Sequence, residues 1–123
     1  MKIALLADIH FQKYADEDFR LHDLNDVISQ VCEYCVDRKI DRLVLLGDFW
    51  SNRKTIDVQV LHSGHQALEK LANTFSDIVV IPGNHDFWFK SNDEVCSIHH
   101  FSSHKNCRVI KAPSTENVTF FML

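Results

Sequence analysis

Three short polar clusters carry the chemistry of this sequence: Asp8-Ile9-His10, Gly47-Asp48 and Gly83-Asn84-His85-Asp86. Together they offer carboxylates, imidazoles and an amide oxygen, with no thiolate among them. Oxygen and nitrogen donors of this kind suit Mn²⁺, Fe or Zn²⁺ better than they suit a structural zinc site. A carboxylate has two oxygens with several lone pairs, so it can bridge two cations. Asp48, on the middle cluster, is the natural bridge. Asp8 and His10 are two positions apart, and on an extended backbone their side chains leave the same face. Gly47 and Gly83 let the chain turn sharply and leave room beside bound ions. The chain has only three glycines, so two of them falling in these clusters is informative.

Each cluster directly follows an apolar run. Lys2–Ala7, Arg42–Leu46 and Asp77–Ile81 read as buried strands. Between them lie two helical stripes. The first is Leu24, Val27, Ile28, Val31 and Cys35; the second is Leu61, Gly64, Leu68, Leu71 and Phe75, with Asp57 as its N-cap. Strands alternating with amphipathic helices predict βαβ units and a mainly parallel sheet. Both gaps are long enough for the crossovers that parallel neighbours require. In such a sheet the C-terminal strand ends lie side by side, and ligands bind there. Clusters far apart in sequence therefore converge. A helix over 91–101 and strands over 108–112 and 118–123 complete the expectation. The final apolar run reads as a core strand that breaks off, so residues 1–123 are expected to be the N-terminal portion of one longer α/β domain.

Asp-x-His, then Gly-Asp, then Gly-Asn-His-Asp, each after a hydrophobic strand, resembles the calcineurin-like metallophosphoesterase superfamily. The resemblance covers residues 1 to about 90. It implies a layered α/β sandwich and a centre of two divalent ions, Mn²⁺ foremost, with Mg²⁺, Fe or Zn²⁺ as alternatives. Carried over position by position, Asp8 and His10 bind the first ion, Asp48 bridges both and Asn84 binds the second. His85 faces the scissile phosphate as acid or charge stabiliser, and Asp48 joins it in the catalytic set. Asp86 either holds the loop behind the ligands or caps the next helix. The implied reaction is phosphodiester hydrolysis by a water that the two ions activate. The family completes its site with later histidines, including Gly-His-x-His, which does not occur after Asp86. His99, His100 and His104 follow the third cluster too closely to replace it. The expectation is that the missing half lies beyond Leu123; the alternative is a chain that keeps the fold as a non-catalytic binding module.

Protein phosphatases of the superfamily follow Gly-Asp with a Val-Asp-Arg-Gly type stretch, whereas Phe49-Trp50-Ser51-Asn52-Arg53 follows here. That, with the Met-Lys-Ile start, is similar to the SbcD-type and phage recombination nucleases of DNA repair. The implied partners are DNA and an SbcC-type ATPase, with a homodimer as a further option. A phosphatase or small-substrate phosphodiesterase is the alternative enzyme. Trp50, Arg53 and Trp88 are candidate substrate contacts, the tryptophans by stacking on bases and Arg53 by reaching a phosphate. The competing reading packs the aromatic residues against the scaffold.

Composition sets the outer limits. Apolar residues at 46% and charged residues at 24% exclude a disordered or repetitive chain. A formal charge of -4 excludes a general basic coat for nucleic acid, so any such contact is local or assisted by cations. The first apolar run is too short for a signal peptide or a membrane span. Four unevenly spaced cysteines do not form a disulfide framework, and a reducing, cytoplasmic setting is expected. Cys32 and Cys35 read as core residues in a helical stripe. His62 and His65 read as a solvated helix face.

Overall fold

A computed structural model describes residues 2–13, 19–52, 55–83, 102–110, 114–115 and 119–120. Strand β1 (Ala4–Leu6) leads to helix α1 (Phe19–Asp37), β2 (Arg42–Leu46), helix α2 (Val58–Thr74) and β3 (Asp77–Ile81). β4 (Cys107–Val109) follows, then the two-residue strands β5 (Ser114–Thr115) and β6 (Thr119–Phe120). The first four strands form one parallel sheet in the order β1-β2-β3-β4. β5 and β6 pair antiparallel as a separate sheet, so the expected last strand does not extend the parallel one. The expected helix over 91–101 lies outside the described residues.

Strand order that advances in one direction, with crossovers of one hand, places both helices on the same face. α1 and α2 pack on each other there. Period-two alternation then sorts the strands. Leu43, Leu45, Ile78, Val80 and Cys107 join Ile28, Cys32, Cys35, Leu68 and Leu71 in the main core. Val44, Val79 and Ile81 pack with Ile3 and Ile110 on the other face. The central strands are therefore buried on both faces, which is why they read as continuous apolar runs.

Local chemistry sets the helix ends. Asp57 caps α2, its carboxylate accepting from the Gln59 N–H at 2.9 Å. α1 stops in a Schellman turn at Lys39 (φ 55), with the Ile40 N–H donating to the Cys35 carbonyl at 2.8 Å. The buried stripe of α1 is Leu21, Ile28, Cys32 and Cys35, whereas Val27, expected inside, is exposed. Where two helices share one sheet face, α1 needs to bury only a narrow arc. Asn25 crosses the helix interface to the Ser63 hydroxyl at 2.6 Å. The thiols of Cys32, Cys35 and Cys107 are free and buried. Burial, reinforced by Asp77, pushes the Cys107 thiol up to about 11, and burial beside Cys32 also raises Cys35. Among the described residues, no helix is long and apolar enough to cross a membrane.

Candidate metal centre

Beyond the strand ends, the chain after β1 runs alongside the chain after β2. The Asp8 N–H donates to the Gly47 carbonyl at 3.1 Å, and the His10 N–H to the Asp48 carbonyl at 3.0 Å. The Phe11 N–H then donates to the Phe49 carbonyl at 2.8 Å, and the Ser51 N–H to the Phe11 carbonyl at 3.3 Å. Phe11 and Trp50 form a parallel bridge. This short ladder fixes the first two polar clusters to each other before any ligand is considered.

Three side chains meet above it. His10 Nε2 lies 3.8 Å from Asp8 Oδ1 and 3.9 Å from Asp48 Oδ2. Ligand atoms of Asp8, His10 and Asp48 all fall within 4.8 Å of one another. The two imidazole–carboxylate separations are too long for hydrogen bonds. They are short enough for a single cation, because two ligands on bonds of about 2.1 Å lie at most about 4.2 Å apart. The donor set, two carboxylates and an imidazole without sulfur, fits a divalent ion of the Mn²⁺, Fe or Zn²⁺ type. Asp8 is 67% exposed and Asp48 only 13%, so the group opens on solvent at its outer edge.

The backbone carrying these groups differs from expectation. Asp8 (φ 53), His10 (φ 52) and Asp48 (φ 52) all occupy the left-handed region, so the first cluster is not extended. The two residues converge because the chain turns at each of them, not because alternation aims them together. For a non-glycine residue this conformation costs on the order of 1 kcal/mol. Asp and His tolerate it better than most, which is the one signal of it in the sequence. Three such residues in one group mark a functional constraint.

Gly47 and Gly83 act as expected, by close approach. Gly47 has φ 84, and a Cβ there would meet the Gly83 Cα at 2.8 Å. A Cβ on Gly83 would meet the carboxylate of Asp48 and, at 2.6 Å, its backbone nitrogen. The third cluster therefore begins against the second. Asn84, His85 and Asp86, together with Arg53 and Trp88, lie outside the described residues.

Trp50 is a correction. It is 1% exposed, as is Phe11, and Phe49 is 3% exposed. The three rings pack together, with Phe11–Phe49 and Phe49–Trp50 centroids each 4.9 Å apart. Trp50 is thus a core anchor and not a surface for bases: a large apolar ring next to a strained turn is worth more buried than exposed. Phe11 joins this core without having been among the expected residues; its one signal in the sequence is an aromatic residue directly after the candidate ligand His10, matching Phe49 after Asp48.

The family model of the calcineurin-like phosphoesterases matches residues 1–118. The chain belongs to this family. Its domain is that of a metal-dependent phosphoester hydrolase, and the Asp8–His10–Asp48 group is its candidate metal centre. No curated protein matches the metallophosphoesterase chain.

Proposed function

We propose that this metallophosphoesterase hydrolyses phosphodiesters as a two-metal DNA nuclease subunit, working with an SbcC-type ATPase in a cytoplasmic setting, with a homodimer as a further option. The observation that carries the reading is the convergence of Asp8, His10 and Asp48 at one open rim. Small-molecule sites usually enclose most of their ligand. A ligand group whose first carboxylate is 67% exposed instead suits a phosphodiester that belongs to a long polymer. The aromatic pair Phe49-Trp50, in place of a Val-Asp-Arg-Gly type stretch, supports the nuclease branch over the protein phosphatases. Free, buried thiols agree with a reducing compartment.

In this reading Asp8 and His10 would hold one ion, Asn84 would hold the second and Asp48 would be shared by both, with Mn²⁺ the preferred metal. Divalent ions held there would supply Lewis acidity and a more acidic bound water. Asp48 is the least exposed of the three described ligands, held against Gly83, so its two oxygens keep a fixed direction. His85 donates a proton to the leaving oxygen. Asp86 would hold the loop that carries these residues or cap the helix after it.

The test is Mn²⁺-dependent cleavage of a plasmid, a short duplex and bis-p-nitrophenyl phosphate. Cleavage of DNA favours the nuclease, and turnover of the small diester alone favours a small-substrate enzyme. No turnover with tight metal binding favours a binding module. His85→Gln is expected to lower turnover by roughly 100-fold or more while Mn²⁺ affinity stays nearly unchanged; retained turnover removes the acid role.

A further inference from the structure

Gly64 stands inside α2, buried, where glycine ordinarily weakens a helix relative to alanine. What it faces gives the reason. A methyl group there would run into Cη2 and Cζ3 of the Trp50 indole, and would lie 3.4 Å from Cε1 of Phe49. The indole therefore seats directly on the bare backbone of α2. Trp50 is only two residues beyond Asp48, and its segment carries the ladder that holds His10 and Phe11. A shift of the indole is passed to both ligand-bearing turns. Those turns are at positive φ, a conformation that persists only where the surroundings over-determine it.

We propose that the Gly64–Trp50 contact is a positioning device for the metal centre. Neither residue is a ligand. Helix α2 acts through the indole and the 47–51 segment to hold Asp48 and His10 at the spacing one cation needs. The inference rests on the metal-centre reading above and names residues that reading does not use. Simple packing is the rival explanation, and the two differ in what a substitution does to metal affinity.

The experiment is calorimetric titration of the full chain with Mn²⁺, with the Mn²⁺ electron paramagnetic resonance spectrum and the metal-free melting temperature recorded alongside. The chains compared are the wild type, Gly64→Ala, Trp50→Phe and the double variant. Helix propensity alone predicts that Gly64→Ala raises the melting temperature. The seat predicts that it lowers it, and that Mn²⁺ affinity falls roughly tenfold although every ligand is intact. Trp50→Phe withdraws the ring edge that faces Gly64 and is expected to weaken Mn²⁺ binding to a smaller degree. In the double variant the added methyl has room, so most of the affinity lost in Gly64→Ala returns, the signature of two positions in direct contact. Wild-type affinity in Gly64→Ala, whatever its melting temperature, overturns the proposal. If Gly64→Ala does not fold, wild-type affinity and spectrum in Trp50→Phe overturn it equally. A wild-type chain that takes up no Mn²⁺ sinks the metal-centre reading itself, a result distinct from either.

Discussion

The two ends of the parallel sheet treat aspartate in opposite ways. At the N-terminal end, Asp77 opens β3 between two guanidinium groups, Arg42 Nε at 2.7 Å and Arg108 at 2.9 Å. Arg42 pairs with it directly across the β2–β3 register, and Arg108 reaches in from β4. Nearby, the Ser76 hydroxyl donates to the Asp41 carboxylate at 3.3 Å. At the C-terminal end, Asp8 and Asp48 approach His10 only to 3.8 and 3.9 Å, on backbone in the left-handed region. One carboxylate is satisfied by fixed charges of the fold. The other two each stand at a distance from the His10 imidazole, 3.8 and 3.9 Å, that a single cation can span. Carboxylate content alone therefore does not locate a site; the kind of group each carboxylate faces and the torsion of the backbone that carries it do.

Asp48→Ala breaks the comparison at its centre. It is expected to reduce Mn²⁺ affinity by more than about 100-fold and to remove both ions, since a direct ligand costs more than a supporting residue. Unchanged metal stoichiometry in calorimetry removes the bridge. Asp77→Ala tests the other end. It is expected to cost about 1–2 kcal/mol in denaturant unfolding, because the guanidinium of Arg42 is left partly buried without its carboxylate. Metal affinity is expected to stay at the wild-type value, and a loss there means the two ends are coupled.

Asp8→Gly sharpens the point about strain. Glycine accepts φ 53 freely, and Asp8 is largely exposed, so little packing is lost. Metal-free stability is expected to hold or to rise by up to about 1 kcal/mol while Mn²⁺ binding collapses. A clear loss of metal-free stability argues against stored strain.

The smallest effect concerns Asp57. The Gln59 N–H, then Lys13, hold its carboxyl below the usual carboxylate range. Its folded-state value is depressed, so its contribution is present above the unfolded carboxylate range and is lost as pH falls through the folded value. Asp57→Asn, which keeps a capping oxygen, is expected to flatten the acid limb of the melting temperature against pH slightly and leave neutral pH nearly unchanged. An unaltered acid limb excludes this linkage.

Much of this was legible along the chain. β-branched and leucine-rich runs gave β2 and β3 because both faces of a central parallel strand are buried, and Asp57 marked the start of α2 through its side-chain oxygen. Asp8, His10 and Asp48 were legible as a group because parallel strands must end on the same side. The sequence was silent where a residue's role depends on a neighbour remote in the chain. Trp50 reads as a stacking surface or an anchor until α2 is seen to offer Gly64 beneath it. Asp77 reads like any other acidic residue until Arg42 and Arg108 arrive from the strands on either side. Local pattern determined the first three strands, the two helices between them and which strand ends bear the candidate ligands. Folding in three dimensions set which carboxylate meets two guanidinium groups and which turns take left-handed torsions, because distance and backbone torsion across strands are properties of packing, not of composition.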